Sequence, residues 1–229
     1  MNTAFFDLDY TVYKKGSSPE FYKFIARKGW TDIKVMARHQ QMREDFDAKK
    51  INYEETVEIA IQLLADVLAG KSEEEVKEWL DEFFIEVDLI NKWVIPLFEL
   101  LKKNGFGVYL VSASGSPVVN YSATMLKADG WFASDFENKN GKYTAKVLHF
   151  LHSDEKGKIV NGMRQKHNAK EVLAVGDSEG DAAMLAAADQ AIVYQPWDEK
   201  FKQQAMKNGW KIVDQKSIFK SAEESLVND

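Results

Sequence analysis

Ala4-Phe5-Phe6-Asp7-Leu8-Asp9-Tyr10-Thr11 is the passage from which the rest of the chain can be read. An apolar run leads straight into two carboxylates spaced two apart. If the run is a strand, side chains alternate along it, and Asp7 and Asp9 leave the sheet on the same side. Two like charges that close are costly unless a cation joins them. The downstream sequence is therefore searched for that cation, for a grip on an anion and for a cover.

Outward from this stretch the hydrophobic period changes twice. Lys14 to Ser18 is a polar hinge, and Ser18-Pro19 reads as a helix start, with serine as N-cap and proline at the first helical position. From there to about Phe84 the pattern is helical. Ile33, Val35, Met36, Met42 and Phe46 suit one helix. Asn52 and Glu55 form a capping-box pair ahead of Val57, Ala60, Ile61, Leu64 and Val67, with Gly70 as terminator. Ser72 and Glu75 repeat the pair before Val76, Trp79, Leu80 and Phe83. Residues 16–86 thus read as an inserted block of about four helices, whose Trp and Phe residues are core.

After Asn91 strands and helices alternate. A helix near Pro96–Lys103 precedes a strand at Val108–Val111, and Ser116-Pro117 opens the next helix. Residues 132–150 read as a β excursion turning at Asn140-Gly141, a type I′ signal. A helix follows from about Lys156 to Lys166. Strands at Val172–Val175, Ala191–Tyr194 and Trp210–Val213 are separated by helices at 182–188 and after Trp197. From Ser217 the chain is a charged tail or short helix. Such alternation predicts an α/β fold, a parallel sheet with helices on both faces. The core comprises residues 1–15 and 87–229.

Composition narrows the function. The chain has 229 residues, a net charge of −6 and no cysteine. An acidic chain has no field to attract nucleic acid or anionic lipid. Without cysteine there are no disulfides and no thiolate metal sites. No apolar run reaches membrane-spanning length, and Asp7 falls where a signal peptide needs its apolar region. The expectation is a soluble, cytoplasmic protein without nucleic-acid or membrane partners.

In sheets of this type ligands bind beyond the carboxyl ends of the strands. That rule gathers Asp7 and Asp9, the Ser112-Ala113-Ser114-Gly115 turn, and Gly176-Asp177-Ser178-Glu179-Gly180-Asp181 at one place, with Lys156 at a nearby helix start. Several carboxylates around one point make a hard-oxygen site suited to Mg²⁺. Ser112 and the backbone N–H groups after it, Ala113 first, can donate to phosphoryl oxygens, and a lysine adds a compact charge. Lys158 is a rival for Lys156. One carboxylate can attack phosphorus while a second moves the proton. His149 and His152 lack a helical ligand-pair spacing and read as structural rather than as metal ligands.

Asp7-Leu8-Asp9-Tyr10-Thr11, Ser112, Lys156-Gly157 and Gly176-Asp177-Ser178-Glu179-Gly180-Asp181 resemble, in order, the four motifs of the haloacid dehalogenase-like (HAD) phosphohydrolases. The helical insertion is similar to that family's small helical cap, and the branch resembled is the phosphoserine-phosphatase-like one. The resemblance implies a Rossmann-like core with an inserted cap and a small phosphorylated metabolite as substrate. It implies Asp7 as nucleophile, Asp9 as general acid/base, Ser112, Ala113 and Lys156 on phosphate, Asp7, Asp9 and Asp177 around Mg²⁺, and Asp181 supporting the metal and the lysine. The second aspartate is what the family's phosphatases carry and its dehalogenases lack. Two departures stand out. Tyr10 occupies a position usually held by glycine, and the amino-acid clamp positions of phosphoserine phosphatases align with Gly16 and Ala60, which argues against phosphoserine. Arg38 and Arg43 are the charges of the insertion that could contact substrate instead.

Three other readings share parts of this pattern. A phospho-receiver domain gathers similar residues but is shorter and lacks the insertion. A phosphotransferase would pass the phosphoryl group to an alcohol rather than to water, a choice made by how the cap excludes water. A non-catalytic phospho-ligand-binding protein on this scaffold would not need every catalytic position filled, as they are here.

Overall fold

Alternation along the strands divides the core into two layers. In β1 (Asn2–Phe6), Ala4 and Phe6 face one side while Phe5 faces the other, and all three are fully buried. A strand buried on both faces reads as a continuous apolar run, which is why Ala4-Phe5-Phe6 shows no polar alternation. The computed structural model describes residues 1–226. Residues 227–229, the end of the tail read from Ser217, lie outside the described residues.

Four helices follow β1: α1 (Ser17–Arg27), α2 (Lys34–Asp47), α3 (Tyr53–Leu68) and α4 (Glu73–Glu86). The chain then runs through α5 (Val94–Lys103), β2 (Phe106–Gly115), α6 (Ser116–Met125), β3 (Gly130–Lys139), β4 (Lys142–His149) and α7 (Ser153–His167). It ends with β5 (Val172–Gly176), α8 (Ala182–Ala186), β6 (Gln190–Tyr194), α9 (Glu199–Lys207), β7 (Lys211–Val213) and α10 (Ile218–Leu226). Among the described residues the strands form one seven-stranded sheet in the order β4-β3-β2-β1-β5-β6-β7. All pairs are parallel except β3 with β4, which turn back on each other at Asn140-Gly141, both at positive φ as a type I′ turn requires. Helices α5, α6 and α10 cover one face through Leu97, Val119 and Ala222. Helices α7, α8 and α9 cover the other through Val160, Leu185 and Phe201.

The chain builds β1 to β4 outward on one side of β1 and then crosses to lay β5 on the other. The strand order therefore reverses at β1, and a crevice opens beyond its carboxyl end. Phe6 pairs with Leu110 in β2 and with Val175 in β5, so Asp7, Ser112 and Asp177 all emerge at that crevice.

The inserted helices leave and rejoin the core through two tied segments. Lys14 N–H donates to Leu89 O at 2.8 Å, Asn91 N–H donates to Val12 O at 3.0 Å, and Tyr13 bridges Ile90. The β3–β4 hairpin holds them from the side: Gly70 N–H donates to Tyr143 O, and the Gln62 amide donates to Ala145 O. Both expected capping boxes are present, Asn52 with Glu55 on α3 and Ser72 with Glu75 on α4. The start of α1 differs from the expectation. Its N-cap is Gly16 rather than Ser18, and Pro19 is the third residue of the helix. The reason is tertiary: the Asp9 carboxylate reaches across to accept from Ser17 N–H at 2.8 Å, supplying the cap from outside the helix.

Replacing Asn52 by alanine removes the acceptor for Glu55 N–H at the start of α3, and is expected to lower stability by about 1 kcal/mol. Denaturant titration of Asn52→Ala beside the natural protein measures this; equal midpoints would show that the box contributes nothing.

Candidate active site

The strand ends at Phe6, before either aspartate, so the alternation expected to set Asp7 beside Asp9 does not operate. The chain instead winds through an irregular π-helical turn, Leu8–Val12, in which Tyr10 takes φ 60°, the left-handed region. That conformation is strained for a tyrosine and free for a glycine. Its ring is held edge-on against Trp197 at 4.7 Å between centroids. The turn sends the two carboxylates different ways. Asp7 points into the crevice, while Asp9 turns toward Ser17 at the base of the inserted helices.

Asp7 meets Asp177 and Asp181: one carboxylate oxygen from each lies within 4.8 Å of the others, and all three residues are buried. Asp181, expected only in a supporting role, belongs to this group, and Asp9 does not. Lys156 joins them from the first turn of α7, its Nζ 2.7 Å from both Asp7 Oδ1 and Asp181 Oδ1. Lys158 is exposed and pairs with Asp154, so the choice between the two lysines falls on Lys156. The other oxygen of Asp181 accepts from the N–H groups of Asp177 and Ser178. This grip needs a close approach, because a Cβ on Gly176 would stand 2.5 Å from that of Asp181. Thr11 donates its hydroxyl to Asp177 Oδ1 at 2.8 Å, and the buried Asn91 amide donates to Thr11 O. Ser112 is buried within β2, which runs on to Gly115 with an irregular register after Val111, and its Oγ accepts from Ser114 N–H. The Ala113 carbonyl is taken by the Ser134 hydroxyl.

Charge in this buried pocket is expensive. Burial pushes the Asp7 and Asp177 carboxyls well above the usual carboxylate range. Asp181 adds repulsion for each, and Lys156 only partly offsets the two effects. Burial pulls the Lys156 ammonium down, yet Asp181 and Asp7 outweigh it and hold the group well above the ordinary lysine value. Asp9 is raised by burial to about 6, against the stabilising hydrogen bond from Ser17. Three buried acids around one lysine can host a hard divalent cation, take up protons, or face an anion through the lysine and the Ser112 turn.

A cleft of about 380 Å³ adjoins the Asp9 side, lined by Tyr10, Gly16, Glu20, Lys23, His39 and Arg43 among others. Arg43 thus faces a cleft, whereas Arg38 pairs with Asp66 at the surface. His149 pairs with Glu155, and His152 with Glu54 and Glu58; neither joins the acidic group. Sequence reading missed Tyr53 and Glu54. Their only signal was the Asn52–Glu55 capping box, which marks a helix start without saying what it touches. Burial pushes the Tyr53 hydroxyl well above its ordinary value, Lys156 opposing and Asp181 and Asp7 adding.

A family model described as haloacid dehalogenase-like hydrolase matches residues 4–186. A Mycobacterium tuberculosis (strain H37Rv) protein named as a probable phosphatase is 25% identical over 214 residues, 92% of this chain and 74% of that one. The crystal structure of a Bordetella pertussis Tohama I protein of unknown function superposes with TM-score 0.79 at 24% identity, covering 93% of this chain and 98% of that one. A phosphoserine phosphatase solved as a phospho-aspartyl intermediate analogue superposes with TM-score 0.66 at 21% identity, covering 96% and 97%. The sheet with its helices is the fold these structures share. Among the described residues no helix is long and apolar enough to cross a membrane.

The His152 contacts carry a pH dependence with a definite sign. The hydrogen bond to Glu54 raises His152 from its ordinary 6.5, with Glu58 and Glu155 adding to the effect against burial. A raised folded-state value means the stabilisation is whole below pH 6.5 and fades as pH climbs through the folded value. His152→Gln should therefore lower the denaturant midpoint more at about pH 6 than at about pH 8. A pH-independent difference would rule the ion pair out as its source.

Proposed function

The chain belongs to the haloacid dehalogenase-like hydrolases, and from that premise we propose that it is a Mg²⁺-dependent phosphatase acting through an aspartyl-phosphate on Asp7. The substrate class is a small phosphomonoester of the cytoplasm. The observation that carries the reading is Lys156 held 2.7 Å from both Asp7 and Asp181 with Asp177 alongside. The M. tuberculosis relative's name and the phospho-aspartyl form of the superposed phosphatase support it.

The donor set fits a magnesium ion: all-oxygen, buried, and with more acid than one lysine balances. Asp7 and Asp177 would hold the ion through their carboxylates, and Asp181 would fix Lys156 beside it, while the Asp9 carboxylate, turned to Ser17, stays free for proton transfer. When bound, Mg²⁺ neutralises charge on the phosphoryl oxygens and lowers the repulsion that Asp7 meets as it approaches them. Asp7 Oδ attacks phosphorus and the ester oxygen leaves. Lys156 and the donors of Ser112 and Ala113 take up charge on the equatorial oxygens. Asp9, at about 6, lies in the range where a carboxyl can give its proton to the leaving oxygen and later take one from attacking water.

Residues 16–86 serve in this reading as the cap over a core of 1–15 and 87–229. The clamp positions support a substrate other than phosphoserine. Gly16 brings no charge to the cleft it lines, and Ala60 offers α3 only a carbonyl, which accepts from Tyr22.

Asp7→Asn should lower Mg²⁺-dependent phosphate release by about 10⁴-fold or more with the fold retained. Turnover surviving in a pure preparation would sink the mechanism. Asp9→Asn should penalise alkyl phosphates at least about tenfold more than p-nitrophenyl phosphate, whose leaving group departs without a proton. An equal loss on both would remove Asp9 from the acid role.

A further inference from the structure

Tyr53, the first residue of α3, lies outside every role assigned so far, yet its hydroxyl reaches the loop that carries the acidic group. A Cβ built on Gly180 would stand 2.5 Å from Tyr53 Oη, 3.1 Å from its Cζ and 3.2 Å from its Cε1. Those are the three atoms nearest to that Cβ, and Gly180 is not among the glycines at positive φ. Glycine at 180 is therefore required by the phenol and not by the backbone conformation. Tyr53 as a whole is 41% exposed, so it is not a core residue with a hydroxyl attached.

The next residue grips the other half of the centre. Glu54 accepts from the Ser153 N–H and hydroxyl and pairs with His152, all at the start of the helix that carries Lys156. One turn of an inserted helix thus touches both core segments that supply the Lys156–Asp181 pair. The Asn52–Glu55 capping box holds that turn in shape.

We propose that Tyr53 is a positioning residue supplied by the inserted helices, holding the Ser178–Asp181 turn in register with Lys156 and Asp7 when the helices are closed. The idea rests on the phosphatase reading above and extends it from the reacting groups to what closes on them. The physical chain is short. Asp181 depends on the N–H groups of Asp177 and Ser178 for one oxygen and on Lys156 for the other. A turn that relaxes moves Asp181, and Lys156 and Asp7 move with it, and shifts of this size are costly to a reacting geometry.

The test uses the full chain with Tyr53→Phe, Tyr53→Ala, Gly180→Ala and the double variant Tyr53→Ala/Gly180→Ala. Two readouts run side by side: kinetics on p-nitrophenyl phosphate with Mg²⁺, and amide hydrogen exchange over residues 152–157 and 177–182. Gly180→Ala, whose methyl drives the phenol off, should lower kcat about tenfold with a smaller change in KM. Tyr53→Ala should lower kcat similarly and speed exchange in both segments at an unchanged melting temperature, with Tyr53→Phe intermediate. In the double variant Gly180→Ala should cost nothing beyond Tyr53→Ala, because the methyl then occupies vacated space. Independent, additive losses would overturn the proposal, as would natural kcat, KM and exchange in Tyr53→Ala. If the natural protein released phosphate from no ester while Tyr53→Ala still loosened both segments, the contact would stand and the phosphatase reading would fall.

Discussion

One ammonium group, that of Lys156, sets the conditions that the surrounding structure has to meet. It is almost fully enclosed and survives as a charge because Asp7 and Asp181 each offer an oxygen at 2.7 Å. The same enclosure makes the acids mutually repellent: with Asp177 included, three carboxylates face one lysine. Fully ionised, the group carries two negative charges in excess. A divalent cation matches that excess, and without one burial and the neighbouring Asp181 lift Asp7 and Asp177 toward protonation. The concentration of charge makes the site costly, and the fold around it supplies compensating contacts.

Those contacts are themselves buried and polar. Thr11 holds Asp177, Asn91 holds Thr11, and Tyr194 reaches Asn91, linking the crevice to the neck of the insertion and to β6. Each group satisfies its neighbour, so the network adds definition without leaving an orphaned donor. The Asp181 side chain sits so close to Gly176 that no other residue fits there. At Tyr10 the backbone accepts a left-handed conformation that a glycine would take freely, and the ring contact with Trp197 compensates.

The inserted helices meet the core at several places, among them the tied neck at residues 12–14 and 89–91, the β3–β4 hairpin, the Tyr121–Asp81 hydrogen bond between α6 and α4, and the first turn of α3 on α7 and the Ser178–Asp181 loop. Two of these reach the groups that hold the acidic centre: the neck, where Asn91 holds Thr11 on Asp177, and the first turn of α3. The His152–Glu54 pair of the α3 attachment is partly open to water, and its strength follows pH.

Much of this was legible in the residues themselves. The strand and helix order, both capping boxes and the Asn140-Gly141 turn are local properties, set by side-chain period and by backbone preferences acting over a few residues. The motif order brought Asp7, Ser112, Lys156 and Asp177 to one edge of a parallel sheet by topology alone. What stayed hidden is where each carboxylate points. Period-two alternation ends with β1 at Phe6, and the irregular turn beyond it sends Asp9 to Ser17, so that Asp181 and not Asp9 completes the acidic group. The capping of α1 by Asp9 and the reach of Tyr53 to Gly180 are likewise invisible in sequence, because they join residues with no shared local pattern. Local chemistry determined which elements form and in what order. Only the folded chain, by packing distant backbones within a few ångströms, decided which oxygen meets which cation.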